Sequence, residues 1–376
     1  MRILYFSKDY CPHDHRFLSA LAESGNEIFY LRLEQGDRQT EIRPVPDQVE
    51  QVSWSGGRSP ARLVDGPRLV LELNQILSKI KPDILHAGPI QTCGLLAALS
   101  GFHPLLIMSW GFDLLKDIDR GPEWRWASRY TLRHADWFTS DCETTRQIAL
   151  QLGVPAGRTT VFPWGVDLDH FTPQPRPDAP GRSSGFTLFC NRSWEPNYGV
   201  DVLAQAFVQV ANQRTDIRLR LLGGGSQADK LQKIFTSAGV ADRVDLAGQV
   251  GFADLPGFYR QVDLYVSASH VDGSSVSLME ALACGLPCLV SDIPANREWV
   301  SAGQNGWLFP DGDVQALSAR ILKIVDDRES LVEIGLYARQ IAESRADWKK
   351  NFPLLLAAYQ SARDHWTSRQ LSRGKS

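Results

Sequence analysis

The 376-residue chain reads as an α/β protein of two domains, each built on a parallel sheet. Three observations predict this. Short apolar runs alternate with longer amphipathic stretches, the alternation breaks once at a segment rich in Pro, Gly and Ser, and it then restarts on a similar scale. A chain of this length also exceeds what one compact core serves, which favours two domains over one.

In the first half RILYFS, EIFYLRL, DILHAG and LLIMSW read as strands, with FLSALAESG and RLVLELNQILSKI as helices between them. Apolar runs bounded by turn residues and alternating with helical patterns make βαβ units. FTPQPRPDAPGRSSG (171–185) is the break and reads as a linker. The alternation resumes with FTLFCN, a helix over 200–212, IRLRLLGGG, a helix over 228–238, VDLAGQV and LYVSAS. It continues through a helix at VSLMEALACG, the strands PCLVSD and GWLFP, and a helix near 313–326. The expected domains are 1–170 and 186–345, joined by the linker 171–185. The apolar face of FPLLLAAYQ predicts a further helix over 346–365, and the polar residues 366–376 read as a frayed tail.

Composition narrows the function classes. Hydrophobic residues make up 43% and charged residues 22%, ordinary values for a globular chain. The formal net charge of −3 gives no global attraction to nucleic acid, so no nucleic-acid partner is expected. No apolar run approaches the roughly 18 residues of a membrane span, and MRILYFSKDY lacks a signal-peptide profile. The six cysteines are scattered without a CxxC pair, which points to free thiols in a reducing cytoplasm. Cys284 and Cys288 have no further His or Cys beside them to build a metal site. RGPEWRWASRYTLRHAD (120–136) spaces Arg125, Arg129 and Arg133 four apart among Trp124, Trp126 and Tyr130. That pattern suits contact with a membrane surface, and a solvated helix over a core, the simpler reading, explains it too.

HVDGSSVSLMEALACGLP (270–287) carries the strongest chemical signal. LYVSAS ends as a strand just before it and a helix begins within it, so the turn lies where open parallel sheets bind ligands. A helix N-terminus there offers free amides and the positive end of a dipole. Gly273 allows close backbone approach, Ser274 and Ser275 add hydroxyls, and the amides through Val276 suit phosphate. Asp272 precedes this anion-friendly turn and is better placed to bind hydroxyls. Glu280, in the following helix, suits a ribose diol.

These residues resemble the Glu-x7-Glu signature of retaining glycosyltransferases of family 4, enzymes of the two-domain GT-B fold. The resemblance extends over most of the chain, through VFPWGVDLDHF (161–171), FCNRSWEPNYGVDVLAQAF (189–207), LRLLGGGSQADKL (219–231), GQVGFADLPGFYRQVDLYVSAS (248–269), MEALACGLPCLVSD (279–292) and NREWVSAGQNGWLFPDGDVQAL (296–317). It implies two Rossmann-like domains facing each other across a cleft, with the helix 346–365 crossing back to the first domain. It also implies a nucleotide-sugar donor (UDP- or GDP-linked), an acceptor hydroxyl on a glycolipid or surface polysaccharide precursor, and no metal or other cofactor. Such an enzyme is expected in the cytoplasm, peripheral to the inner membrane face. By position Asp272 would bind the donor sugar, Glu280 the ribose and Arg192 the diphosphate.

The chain departs from the family in three places. Asp272 is one methylene shorter than Glu. The Lys usual after Arg192 is missing, and Tyr198 stands before Gly199 instead. The first turn, SKDYCPHDHRF (7–17), has no Gly-Gly loop. In place of the missing cation Arg297 is a candidate second phosphate ligand, with pairing to Asp292 or Glu298 as the alternative. On the acceptor side the candidates are His86, Trp110, Asp113, His13 and Arg16. Trp110 stands before Gly111 where the family often has His, and a buried structural histidine explains His86 equally well. Two Asp-x-Asp pairs, Asp117/Asp119 and Asp167/Asp169, lie in a polar loop and in the linker-proximal motif, and neither is expected to hold a metal. Gly223–Gly225 lacks the remaining glycine of a dinucleotide fingerprint, which argues against an oxidoreductase. Two rival readings stay open: a GT-B sugar-nucleotide epimerase, and a silent protein that binds a nucleotide-sugar without turning it over.

Overall fold

A computed structural model describes residues 1–35, 41–57, 62–173 and 185–373. The chain forms two compact units, Met1–Phe162 together with the chain from Phe352 on, and Pro163–Asn351.

Among the described residues the first unit holds seven strands: β1 (Arg2–Ser7), β2 (Glu27–Arg32), β3 (Val49–Gln51), β4 (Ile84–Ala87), β5 (Leu105–Met108), β6 (Trp137–Ser140) and β7 (Thr159–Val161). They pair in parallel in the order β3-β2-β1-β4-β5-β6-β7. Crossover helices cover parallel strands on both faces, and β4 and β5 are accordingly buried along their whole length. The helix Gly66–Ile80 shows why the pattern folds this way: it buries Leu69, Leu73, Leu77 and Ile80, one stripe at helical spacing. The sequence reading missed β3, β6 and β7. VEQ, WFTS and TTV are three or four residues long and partly polar, too short to show a period.

Among the described residues the second unit holds six strands: β8 (Phe186–Cys190), β9 (Ile217–Leu222), β10 (Val244–Gly248), β11 (Leu264–Ser267), β12 (Cys288–Ser291) and β13 (Gly306–Phe309). Their order is β10-β9-β8-β11-β12-β13, again parallel. Every strand expected here from sequence is present. In both units the strand order reverses beside the first strand, between β1 and β4 and between β8 and β11. Those reversals are where doubly wound sheets bind ligands.

Two boundaries move. Residues 163–170, expected in the first domain, cluster with the second, because Val166 N–H donates to Ala346 O at 2.7 Å and bridges to Asp347. The terminal helix runs Trp348–Arg373, so the expected tail at 366 is helical as far as Arg373. The physical reason is an aromatic anchor: Trp366 stacks on His103 with centroids 4.3 Å apart. Leu355, Ala358, Tyr359 and Ala362 are buried at helical spacing, and from Phe352 this helix belongs to the first unit. Residues 174–184 of the expected linker and 374–376 of the tail lie outside the described residues. The six cysteines are all free.

Candidate active site

The loops after β8 and β11 meet at the reversal of the second sheet. Gly199 makes the approach possible. Its φ is +56° and a Cβ there would sit 2.0 Å from the Ala268 carbonyl oxygen, so no other residue fits. His270 N–H donates to Asn197 O at 2.9 Å and joins the two loops again.

Arg192, just past β8, is drawn into the turn after β11. Its Nη2 lies 2.7 Å from Asp272 Oδ2, and side-chain exposure is only 11% and 10% for the two partners. Nη1 donates to Ser275 Oγ at 2.9 Å and to Ser277 Oγ at 3.0 Å. The guanidinium carbon sits 4.1 Å from the centre of the Tyr198 ring, a cation–π contact that orients the group. Burial works against the Arg192 charge, and Asp272 more than restores it, so the guanidinium holds its proton tightly. Burial likewise raises the Asp272 carboxyl above its ordinary value, with Arg192 opposing. A guanidinium is always protonated, and its 2.7 Å contact makes Asp272 the counter-ion in this pocket.

What Tyr198 supplies here is a stacked ring. Ser275 is the N-cap of the helix Val276–Ala283, its Oγ accepting from Leu278 N–H at 3.4 Å. Its hydroxyl is thus committed to the helix and to Arg192. Ser274 is buried and accepts from Trp299 Nε1 at 3.2 Å, which pins the turn that Gly273 opens.

Glu280 lies in the same helix, 7% exposed, and Oε2 accepts from the Tyr259 hydroxyl at 2.7 Å. The Asn191 side chain donates to that same hydroxyl oxygen at 2.7 Å. A phenol has one proton to give, so the Asn191 donation leaves it for Glu280 or for the Ser277 carbonyl at 3.0 Å. Burial and the Glu280 charge push the Tyr259 phenol well up, which keeps it a donor.

Arg297 does not join this group. It makes a two-point pair with Asp292, Nε to Oδ1 at 2.5 Å and Nη2 to Oδ2 at 3.0 Å, with 59% of its side chain exposed. Asp292 is only five residues away and satisfies the guanidinium fork locally, so in this structure Arg297 forms a surface ion pair, the alternative that the sequence also offered.

The acceptor candidates of the first unit separate into two groups. His86, on β4, is buried; its Nδ1 lies 2.7 Å from Tyr359 Oη and its ring meets Tyr5 edge-on. Burial lowers its pKa to about 3, so the ring is neutral. Asp113 is also buried and accepts from Ser109 Oγ at 2.6 Å and from the amides of Ile90, Trp110 and Leu114. In this structure both make structural ties: His86 fastens the terminal helix, and Asp113 joins the loops after β4 and β5. Trp110 and His13 are half-buried and meet edge-on at 6.3 Å, which brings the start of the helix Pro12–Glu23 and the loop after β5 together. Arg16 is half-buried, one turn along the helix Pro12–Glu23.

Among the described residues no group of three or more His, Cys, Asp or Glu is arranged to hold a metal. Asp119 pairs with Arg125 and Asp169 with Lys349. Sequence reading missed Asn191, Tyr259 and Ser277. Tyr259 sits inside the quoted stretch GFYRQVDLYVSAS, but its role depends on a tertiary approach 21 positions along the chain.

The chain matches the model "Glycosyltransferase Family 4" over residues 13–170 and "Glycosyl transferases group 1" over 180–341. It is 24% identical over 346 residues to a GDP-mannose-dependent alpha-(1-6)-phosphatidylinositol monomannoside mannosyltransferase of Mycolicibacterium smegmatis, covering 86% of this chain and 90% of that one. A phosphatidyl-myo-inositol mannosyltransferase of Mycobacterium leprae is 29% identical, and there the match spans 53% of each chain. Among solved structures, HepE of Anabaena in complex with UDP-glucose superposes with a TM-score of 0.76 at 19% identity, covering 98% of this chain and 100% of that one. Sucrose-phosphate synthase of Thermosynechococcus elongatus gives 0.78 at 17% identity, over 96% and 98%. The two family models divide at the same place as the two parallel sheets, and the chain belongs to the family 4 type of glycosyltransferase, with the GT-B fold.

Proposed function

We propose that the enzyme is a retaining, metal-independent hexosyltransferase that moves a sugar from a UDP- or GDP-sugar to a hydroxyl of a glycolipid or surface polysaccharide precursor. The observation that carries this reading is the reversal of the second sheet, where Arg192 from one segment of the chain meets Asp272 and Glu280 from another. In this reading Arg192 and the amides of Gly273–Val276 hold the diphosphate, Asp272 reads sugar hydroxyls and Glu280 takes the ribose. The bond from the anomeric carbon to the diphosphate oxygen breaks and the oxygen keeps the electron pair. The acceptor oxygen bonds to the same face of that carbon, and its proton passes to the departing phosphate. Fixed charge at Arg192 stabilises the phosphate as it leaves, without reorganisation at the moment of reaction. The glycolipid acceptor follows from the mycobacterial relative, whose name specifies a phosphatidylinositol mannoside.

The helix Pro122–His134 fits a lipid-borne acceptor. It buries Ala127, Ser128, Thr131 and Leu132 and exposes Arg125, Arg129, Arg133 and Trp126. In this reading that face rests on an anionic membrane surface. No helix among the described residues is long and apolar enough to cross a membrane. On the acceptor side Trp110 and His13 remain the contacts we assign, with Arg16 beside them.

The test is nucleoside diphosphate release from a panel of UDP- and GDP-sugars with glycolipid and polysaccharide acceptors, with and without EDTA, and the anomeric configuration of the product. Acceptor-dependent release with retained configuration, insensitive to EDTA, supports the proposal. Sugar interconversion without an acceptor would indicate an epimerase, and nucleotide binding without turnover a silent binder.

A further inference from the structure

The ligand-free site already has an anion on Arg192, and it is Asp272. The carboxylate holds Nη2 at 2.7 Å while Ser275 and Ser277 occupy Nη1 and the Tyr198 ring stacks against the face. Two charges buried together are held by each other, and anything that takes one must compensate the other. A sugar-bearing donor does both: its diphosphate reaches for Arg192, and its sugar hydroxyls donate to the released carboxylate. A spent nucleoside diphosphate does only the first. It has no sugar to offer Asp272, and its terminal phosphate carries more negative charge than the esterified one, directly beside a carboxylate.

We infer that Asp272 determines the site's preference for loaded donor over spent nucleotide, competing with the diphosphate for Arg192 whenever no sugar is present. The inference rests on the donor-site reading above and deepens it. Asp272 thus acts twice in a cycle. With donor bound it turns to the sugar, and once the sugar has gone to the acceptor it recaptures Arg192 and drives the nucleotide off. The short side chain suits the second role, since it keeps the carboxylate close to the guanidinium in the absence of ligand.

Calorimetry on the full chain with bare UDP and GDP tests this, comparing wild type with Asp272→Asn. The expected result is bare-nucleotide binding about tenfold tighter in the variant, because a neutral amide competes poorly for the guanidinium. Thermal melting gives a second readout. The variant leaves Arg192 without its counter-ion, so its ligand-free Tm falls and added nucleotide raises it by more than in wild type. Turnover with sugar donor falls at the same time, and product inhibition deepens. A folded variant that binds bare nucleotide equally or more weakly overturns the inference. If Asp272→Asn does not melt cooperatively, Asp272→Ser carries the same two outcomes. Failure of the wild type to bind or release any nucleoside diphosphate would instead sink the donor-site reading itself.

Discussion

The strand order reverses beside the first strand of each unit, and the same topology carries opposite chemistry at the two places. Between β8 and β11 the chain buries a cation, Arg192, with its counter-ion, and sets a phenol against Glu280. Around β1, β4 and β5 it buries groups with their charge suppressed or fully capped. Asp14 is raised to about 6, chiefly by burial, and accepts from Tyr5 Oη and Cys11 N–H. His86 is held neutral, and Asp113 spends its carboxylate on loop amides. A doubly wound sheet therefore supplies a location, and the residues placed there decide whether it becomes an ionic site or a rigid platform. The half-buried Trp110 and His13 on the first unit's side suit a sugar ring or lipid more than a phosphate.

Removing the cation should break the comparison most strongly. Arg192→Ala is expected to lower turnover about 100-fold or more, since it deletes the fixed charge that the proposed mechanism sets against the leaving phosphate. Arg192→Lys keeps charge but loses the two-edged fork that spans Asp272 and the serines, so it should recover only part of the loss. Steady-state kinetics on folded variants decides, and full activity in Arg192→Ala would remove it from the phosphate site.

Two buried tyrosine hydroxyls, one in each unit, make a finer test. Tyr259→Phe takes away the group that orients Glu280, and about a tenfold rise in Kd for bare nucleotide is expected from one charge-assisted hydrogen bond, with kcat at saturation little changed. Tyr359→Phe removes the hydroxyl facing His86 and should leave the nucleotide Kd alone while lowering Tm. Equal effects of the two variants on nucleotide affinity would mean that Tyr259 acts through general stability.

What the sequence made legible follows the same division. Strand periodicity placed all six strands of the second sheet, and the spacing from Asp272 to Glu280 marked the turn and helix that carry them. Arg192 was legible because it directly follows a strand. Tyr259 and Asn191 were not, because their role exists only once the helix Leu255–Arg260 and the end of β8 pack against Glu280. The burial of His86 and Asp113 was hidden for a related reason. Polar residues at strand ends look alike in sequence whether they face a ligand or cap a neighbouring loop, and only burial and partners separate the two. The polarity of WTSRQLSRGKS concealed the one ring, Trp366, that keeps the last turns helical against His103.

Acid should separate Asp14 from His86 inside the first unit. The Asp14 carboxyl rises from 3.8 to about 6 in the folded chain, so the native state binds its proton more readily than the unfolded one. Its contribution to stability is complete below 3.8 and is lost as pH rises through about 6. His86 has the reverse sign: its folded value of about 3 lies below 6.5, so its contribution is present above 6.5 and fades on acidification. Asp14→Asn removes the first effect only. Between pH 7 and pH 5 the variant should therefore lose about 1 kcal/mol more stability than wild type, as read from urea unfolding at each pH. An identical pH dependence in the two proteins would mean that Asp14 titrates in its ordinary range.

The smallest effect expected is at Arg297, and it sharpens the comparison by setting the limit of the ionic site. If the enzyme works without a metal, as proposed, a single buried Arg against a diphosphate leaves reason to look for a second cation, and the strand β12 points its carboxyl end toward the same turn. The structure gives that guanidinium another partner. Arg297 closes on Asp292 by both edges in an exposed position, and Asp292 is lowered chiefly by that hydrogen bond. Exposed pairs of this kind contribute little because water screens both charges. Arg297→Ala is thus expected to change the Kd for UDP or GDP by less than about twofold, against the large loss at Arg192. Calorimetry on the two variants side by side is the measurement. A loss of about tenfold at Arg297 would mean that nucleotide draws it away from Asp292, extending the phosphate site to the end of β12 and giving Arg192 the second cation that Tyr198 does not supply.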